Sequence, residues 1–377
     1  MKTPTLVAPK PNTRHYGIDA LRVLSMFMVL ILHILDAGGI LGASPPMSGH
    51  YISAWLLEAA AYCAVNCYAL VSGYVMINAK YRYTNLLLLW LQVAFCNIVC
   101  SAFFYFIPSF SVGTRDLISS AFPVFRKVFW YFSAYTALFF LIPICNYAIN
   151  SLNRRQAKAL CISILMIFSI LPMISKSDAF TLSNGYSAIW LMLMYILGAC
   201  IRKFGFGASI KSSYLLLGYG LSTLISVGFL VLAQLDCGSV LLILWEKNQL
   251  IRYNSPTIVL NGIALLLLFS RINIKSPRMI KLLQLLSPLA FGVYIWHQQP
   301  QMVQFLFAEN RFAAFVDYPF PLMVGAVILS AIVLFAVFAA IDKLRLWLFD
   351  ALKLKKRLQA LEEKYIGNLW SNKGEPS

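Results

Sequence analysis

The sequence predicts an all-α membrane protein, a polytopic bundle of about ten transmembrane helices with both termini in the cytoplasm. Three observations lead to this prediction. Of the 377 residues, 60% are hydrophobic and 12% are charged, and the mean hydropathy is +0.74. These values lie well outside the range of soluble domains. The apolar residues form runs long enough to cross a hydrocarbon core, which takes roughly 20 residues, and the basic residues cluster between the runs.

Ten apolar runs are candidate membrane spans. The first has no small-residue cleavage site after it and is too long for the core of a signal peptide, so we expect it to remain as a membrane helix. One transmembrane domain, residues 1–349, and a basic cytoplasmic tail, residues 350–377, account for the whole chain. The ten runs are residues 18–41, 51–78, 85–107, 129–149, 157–175, 187–202, 212–234, 255–271, 283–307 and 319–341.

Lysine and arginine concentrate in alternate loops. With the N-terminus inside, 23 of the 31 basic residues fall on the cytoplasmic side, where positive loops are retained. An even number of spans in the inner (cytoplasmic) membrane therefore fits. The tail repeats apolar residues at helical spacing among its lysines, which predicts a segment lying on the inner membrane surface. These apolar residues are Leu344, Trp347, Leu348 and Leu352.

Composition also excludes two classes of function. The formal net charge is +17, but the basic residues form no continuous stripe that follows a phosphate backbone, so nucleic acid is not a predicted partner. Cys63/Cys67 and Cys96/Cys100 have the spacing of one helix face. Because cysteine in an apolar segment is commonly a small packing residue, we predict no metal site.

Ionisable residues in the first span are the strongest functional candidates, because a charge inside a bilayer is costly. Asp19 and Arg22 lie three residues apart near one end, and His33 and Asp36 repeat that spacing near the other. A helix rises 1.5 Å per residue, so Arg22 and His33 are separated by roughly 16 Å. They would hold opposite ends of one elongated ligand, with Arg22 at a phosphate or carboxylate and His33 at a group that exchanges a proton.

A plainer interpretation stays open at this point: Arg22 extends to the inner head groups and His33 packs within the bundle. A second histidine, His297, favours the functional interpretation, because it lies at a matching depth in the ninth span and predicts one polar chamber. The alternative for His297 is that it belongs to the interfacial aromatic belt beside Trp296 and Tyr294.

Two further polar residues and two loops are secondary candidates. Glu58 and Asn66 are eight residues apart on one face of the second span and would line the same chamber, although a packing role for Asn66 fits equally well. The outer loops 108–128 and 235–254 are the longest and mix aromatic, basic and acidic residues, which is typical of binding loops and also of loops that only cap a bundle.

These residues resemble a known family. Arg22, ten residues and His33 in the first span, preceded by the stretch that starts at His15, are similar to the opening of the membrane acyltransferase-3 family. The second-helix piece ends in Ser72-Gly73, as that family's motif ends in Ser-Gly-aromatic. Further pieces follow in the family's order at residues 130–146, 195–202 and 294–297.

The resemblance implies an enzyme that moves an acyl group, usually acetyl, from acyl-coenzyme A to a hydroxyl of a cell-envelope polysaccharide or lipid-linked glycan. It would place Arg22, with its neighbour Asp19, at the phosphates or pantetheine end of the donor. His33 would be the general base or a transient acyl carrier. Asp36 would orient the imidazole, and His297 would belong to the same pocket.

One feature departs from the family pattern. Many members carry Arg-x-Arg at the start of the third helix, where this chain has Lys80-Tyr81-Arg82; Lys80 and Arg82 would substitute for that pair in binding acetyl-coenzyme A. The predicted partners are acyl-coenzyme A, a glycan or lipid-linked glycan, and membrane lipids. A transporter or flippase of lipid-linked sugars is the alternative with the same composition. The sequence leaves the acceptor sugar and its hydroxyl open.

Overall fold

The computed structural model describes residues 14–110, 112–124, 129–174, 178–235, 246 and 248–367. Within these ranges the regular structure is helical and no strand occurs, which confirms the all-α class. The helices are α1 Tyr16–Leu35, α2 Ile40–Ala43, α3 Gly49–Ala61, α4 Ala64–Met76, α5 Tyr83–Tyr105, α6 Thr114–Ser120, α7 Trp130–Ser151, α8 Arg154–Leu165, α9 Leu171–Ile174, α10 Ala188–Phe204, α11 Ser212–Gln234, α12 Pro256–Phe269, α13 Pro277–Gln298, α14 Pro300–Phe307, α15 Phe320–Ala351 and α16 Leu354–Tyr365.

Eight segments of the described chain are long and apolar enough to cross a membrane. The predicted count of ten is not confirmed, because helices α10 and α12 have only 17 and 14 residues. At 1.5 Å per residue they are roughly 26 and 21 Å long, less than a hydrocarbon core of about 30 Å. The eight are Tyr16–Leu35, Gly49–Met76, Tyr83–Tyr105, Trp130–Ser151, Arg154–Ile174, Ser212–Gln234, Pro277–Gln298 and Phe320–Ala351.

The ninth predicted span, residues 283–307, is not one helix. Helix α13 ends at Gln298, and α14 starts two residues later at Pro300. Proline has no N–H to donate to the preceding turn and restricts the residue before it to extended backbone. Gln299 has that conformation, with φ −64° and ψ 133°. The break places the last turn of α13, which carries His297, against the other helices of the bundle.

The last predicted span is too short. Helix α15 runs for 32 residues to Ala351, ten residues past the predicted end at 341, so Leu344 and Trp347 lie on this helix and not on a separate surface segment. Lys353 then takes a left-handed backbone, φ 52°, and the chain turns into α16. The prediction that the whole basic tail follows the membrane surface therefore applies only to α16 and the residues after it.

Glycines allow two helices to cross closely at the centre of the bundle. A Cβ added at Gly73 of α4 would lie 1.9 Å from the carbonyl oxygen of Tyr195, and one at Gly198 of α10 would lie 2.0 Å from that of Leu70. Small residues at such crossings let backbones approach and pack by van der Waals contact. Helix α1 lies in the middle of the assembly and contacts α3, α4, α12, α13 and α15.

Candidate active site

The end of α1 that carries Arg22 opens onto a cavity of about 900 Å³. Arg14, Arg22 and Arg202 line it, so three guanidinium groups converge on one space. Tyrosine and serine hydroxyls cover another wall. Guanidinium groups are the side chains best suited to hold phosphate or carboxylate oxygens in pairs. The cavity is therefore suited to an anionic ligand.

Asp19 holds two of these arginines in place. Its buried carboxylate lies 2.6 Å from Nε of Arg14 and 3.2 Å from Nη1 of Arg22, and it accepts a hydrogen bond of 2.9 Å from the Ser287 hydroxyl. Asp19 was predicted at the donor site, and it lines the same cavity. Since a carboxylate repels phosphate, its contacts support a role in positioning Arg14 and Arg22.

Sequence reasoning missed Arg14 and Arg202 as site residues, because both lie in segments that count only as basic loops. In the structure, Nη1 of Arg202 donates to the Tyr74 hydroxyl at 3.0 Å, and its guanidinium lies 4.9 Å from the centre of that ring. The Tyr68 hydroxyl donates to the carbonyl oxygen of Arg22 at 2.8 Å. The only available signal was that Tyr74 and Arg202 lie in two of the motif pieces.

The structure does not bring Lys80 and Arg82 into the Arg22 cavity. Both line a neighbouring cavity of about 740 Å³, and Nη1 of Arg82 lies 3.3 Å from Glu363 of α16. The two cavities share Asn78 and Ala79. The predicted contact of Lys80 and Arg82 with the donor therefore stays a prediction.

Three side chains lie between the Arg22 cavity and a smaller space beside His33. A third cavity, of about 40 Å³, is lined by His33 and is otherwise mainly apolar and aromatic. It shares Tyr68, Tyr131 and Phe291 with the Arg22 cavity. The two spaces are therefore neighbours, and these three side chains form the boundary between them.

The two predicted histidines are in contact. Nδ1 of His33 lies 2.8 Å from Nε2 of His297, and their ring centres are 5.0 Å apart. His297 is completely buried. The proximity that the matching depths predicted is confirmed. Each histidine occupies the last turn of its helix, where the negative end of the helix dipole stabilises an imidazolium.

The hydrogen bonds determine which ring nitrogen is available for chemistry. Nδ1 of His297 lies 2.6 Å from the carbonyl oxygen of Val293, which only accepts, so this Nδ1 carries the proton and Nε2 is an acceptor. Nδ1 of His33 must then donate to His297. Nε2 of the Gln298 side-chain amide lies 3.0 Å from the same nitrogen; because two donors cannot pair, the amide accepts this proton only with its nitrogen and oxygen exchanged. Among the described residues, no hydrogen bond involves Nε2 of His33, which therefore keeps its lone pair.

A buried ion pair supports the helix that carries His297. Asp342 is 0% exposed and makes two hydrogen bonds with Arg345, of 2.8 and 2.7 Å. The indole N–H of Trp296 donates to the same carboxylate at 3.3 Å. Sequence reasoning missed this pair, because it ended the last span at residue 341.

The remaining candidates are dispersed. Asp36 is exposed at the end of α1, and no hydrogen bond joins it to His33 in the part of the chain that is described; His297 and Gln298 contact Nδ1 instead. Asn66 uses both ends of its amide, with the Tyr253 carbonyl oxygen at 2.7 Å and the Trp190 indole at 2.9 Å. Those contacts support its packing role. Loop 235–254 falls largely outside the described residues.

Comparison with known proteins identifies the family. A model of the acyltransferase domain family, acyltransferase-3, matches residues 15–340, which includes Arg22, Arg202 and both histidines. The chain belongs to that family, and it is an acyltransferase with multiple membrane-spanning helices. Neither the curated proteins nor the solved structures gave a match.

Proposed function

We propose that this protein transfers a short acyl group, typically acetyl, from cytoplasmic acyl-coenzyme A to a hydroxyl of a cell-envelope polysaccharide or lipid-linked glycan. The observation that carries the proposal is the available Nε2 of His33 beside a small cavity that shares three lining side chains with an arginine-lined cavity. A donor with an anionic head, a slender arm and a reactive thioester matches that succession of spaces.

Donor binding belongs to the Arg22 end. Arg22, Arg14 and Arg202 bind the phosphates, and Asp19 keeps the first two arginines in position. The pantetheine arm extends past Tyr68 and Tyr131 toward His33. Lys80 and Arg82 attract the donor through their positive charge from the neighbouring cavity, an effect that salt screens.

His33 performs the proton transfer. Its Nε2 takes the proton of the acceptor hydroxyl while the hydroxyl oxygen bonds to the thioester carbonyl carbon; the carbon–sulfur bond breaks, and the thiolate takes the proton back from the imidazolium. His297 accepts from Nδ1 throughout and stabilises the imidazolium, the role that an acidic partner has in other acyl-transfer sites.

A second route uses the same nitrogen as a nucleophile. Nε2 attacks the thioester, the thiolate leaves, and the acyl group waits on His33 until the acceptor hydroxyl displaces it. Rapid acid quenching of protein mixed with labelled acetyl-coenzyme A and no acceptor distinguishes the routes, because only the nucleophilic route leaves label on the protein. Asp36, exposed beside this point, is placed to act on the acceptor side.

The orientation of the chain follows from the donor. Because acyl-coenzyme A is cytoplasmic, the Arg22 end and both termini face the cytoplasm in the inner membrane, and α16 lies beside the lipid head groups with its lysines. A reporter fused after residue 377 tests this: green fluorescence there and no alkaline phosphatase activity is the expected result.

The decisive experiment measures incorporation of labelled acetyl from acetyl-coenzyme A into envelope glycans by membranes that carry the protein. Wild type should transfer label and His33→Ala should not. His50→Ala is the matched control, since His50 is a histidine that bonds only the Tyr318 carbonyl oxygen at the surface and should keep full transfer. Full activity of His33→Ala would end the mechanism.

Donor binding is tested separately from transfer. Acetyl-coenzyme A should raise the thermal midpoint of the detergent-purified protein, because a ligand that binds only the folded state stabilises it. A transporter of lipid-linked sugars predicts no such shift. Absence of both the shift and the label would favour the transporter.

A further inference from the structure

Four aromatic rings gather beside His33 on the side of the bundle away from Arg22. Tyr186 lies at their centre, with its ring 4.7 Å from that of Trp130 and 4.8 Å from that of Tyr253. Tyr62 lies 4.8 Å from Tyr253. We call these four residues the aromatic cluster. It joins the turn between α3 and α4, the start of α7 and two loops, so it forms only when the bundle is folded.

The aromatic cluster is continuous with the catalytic cavity. Trp130 and Tyr253 line the same cavity of about 40 Å³ as His33. Tyr253 is buried, whereas Tyr186 is 45% exposed. The cluster therefore extends from the surface of the bundle to the small cavity that His33 lines.

Polar atoms without partners lie beside these rings. Glu58 is 5% exposed, and its Oε2 has no hydrogen bond. The indole N–H of Trp55, one turn earlier on α3, is also buried without a partner. The Glu58 carboxyl interacts electrostatically with Tyr62 and with Asp36. A buried acceptor and a buried donor that bond nothing in the described part of the chain are costly unless a ligand satisfies them.

The charge near the cluster has one sign. Asp36 is exposed and acidic, and across the described residues neither Asp36 nor Glu58 forms an ion pair with a lysine or arginine. The arginines of the site are all at the other end of α1. A ligand that bears its own carboxylate or phosphate would meet uncompensated negative charge here.

We propose that the aromatic cluster, with Glu58, Trp55 and Asp36, is the acceptor subsite and binds a neutral or amine-bearing sugar ring. This inference rests on the proposed acyl transfer and adds which residues select the acceptor. The C–H face of a pyranose packs on the exposed ring of Tyr186, and its hydroxyls satisfy the Glu58 carboxyl and the Trp55 N–H. A neighbouring hydroxyl then reaches Nε2 of His33.

The test is a competition assay in membranes that transfer labelled acetyl to their own glycans. Three probes are added in turn: methyl glucoside, methyl glucosaminide and methyl glucuronide. The first two should inhibit labelling at concentrations about tenfold lower than the glucuronide, since each tenfold corresponds to a modest difference in binding free energy. Equal inhibition by all three, or by none, would overturn the proposed subsite.

Variants identify the residues. Tyr186→Leu removes the exposed ring and should raise the concentration of methyl glucoside needed for inhibition about tenfold, a typical loss for one stacked ring. Tyr186→Phe keeps the ring and should behave as wild type. Glu58→Gln should weaken inhibition by the glucosaminide more than by the glucoside. None of these changes should alter the KM for acetyl-coenzyme A.

The two hypotheses fail differently. If wild-type membranes transfer no label from acetyl-coenzyme A, the acyl-transfer proposal is wrong. If transfer occurs but Tyr186→Leu keeps the inhibition of the wild type, the acyl-transfer proposal stands and the aromatic subsite is wrong. Change in the KM for acetyl-coenzyme A in Tyr186→Leu would likewise count against the subsite, because it would reveal a general disturbance of the bundle.

Discussion

The two ends of α1 differ in size, polarity and charge. At the Arg22 end the cavity has about 900 Å³ and three arginines; at the His33 end it has about 40 Å³ and is lined mainly by apolar and aromatic side chains. A large cavity lined by arginines suits binding by charge, because the guanidinium groups attract an anion even where the shape of the cavity does not match the ligand closely. A small, mostly apolar cavity suits chemistry, because excluding water protects a reactive acyl group and strengthens each hydrogen bond inside. If the proposed function holds, this one helix separates donor affinity from catalytic rate.

The sharpest test of this division is removal of the base. His33→Ala should lower kcat about 10³-fold, within the usual range for a general base, and should change the KM for acetyl-coenzyme A less than about twofold, because the donor phosphates lie at the other end. Initial rates over a range of donor concentrations measure both quantities. A large rise in KM with an unchanged kcat would contradict the division of roles.

Removal of the second histidine should have a smaller effect of the same kind. His297→Phe leaves Nδ1 of His33 with only the Gln298 amide, so we expect kcat to fall about 10²-fold with little change in KM. His297→Gln, which restores an acceptor, should recover part of the rate. If His297→Phe retains full kcat, the pair of histidines is only a packing contact.

At the opposite end, Arg22→Ala should raise the KM for acetyl-coenzyme A about tenfold or more and leave kcat nearly unchanged, because a hydrogen bond to a charged group contributes about 1.5–3 kcal/mol. Arg155→Ala, at an exposed arginine in the first turn of α8, is the control. Unchanged donor affinity in Arg22→Ala would mean that Arg22 only reaches for lipid head groups.

Arg82→Ala should have a smaller effect than Arg22→Ala, about threefold on KM, since Arg82 faces the neighbouring cavity and pairs with Glu363 and acts through screened charge. The effect should disappear at about 1 M salt, where charges are screened within a few ångströms. A salt-independent loss as large as that of Arg22→Ala would place Arg82 in direct contact with the donor.

The smallest predicted effect concerns the tail helix. Burial raises the pKa of the Glu362 carboxyl, but hydrogen bonds from Thr84 and Tyr83 and the charge of Arg82 outweigh it and lower the pKa below its ordinary value. The contact is therefore complete at neutral pH and is lost as pH falls through that lowered pKa. Glu362→Gln should lower the free energy of unfolding by about 1 kcal/mol, the usual value of a helix N-terminal cap.

Thermal unfolding in detergent measures this change. Because the charge of Glu362 is the difference between the two proteins, their midpoints should differ at pH 7 and converge as the pH falls through the lowered pKa of Glu362. Glu363→Gln, at the exposed neighbour, is the control and should change the midpoint less. If the two midpoints still differ at low pH, the stabilising contact of the tail helix does not depend on the charge of Glu362.

Much of the site could be anticipated from local pattern. Arg22 and His33 stand out because ionisable residues in an apolar run are costly, and the distance between them follows from helix geometry alone. Glu362 could not be found this way: it caps α5 across 278 residues of sequence, and nothing near it in the chain indicates a partner. Arg202 was counted only as a basic loop residue, because its partner Tyr74 lies 128 residues away in the sequence.

The sequence alone determined the class of the protein and the two ends of its first helix, because apolar length, basic loops and helical rise are local properties. The tertiary structure decided what those ends do. Only the packing of α13 against α1 puts His297 on Nδ1 of His33 and leaves Nε2 free, and only the arrangement of α1, α4 and α10 brings three arginines into one cavity. Contacts between distant residues depend on how helices cross, which their individual patterns do not specify.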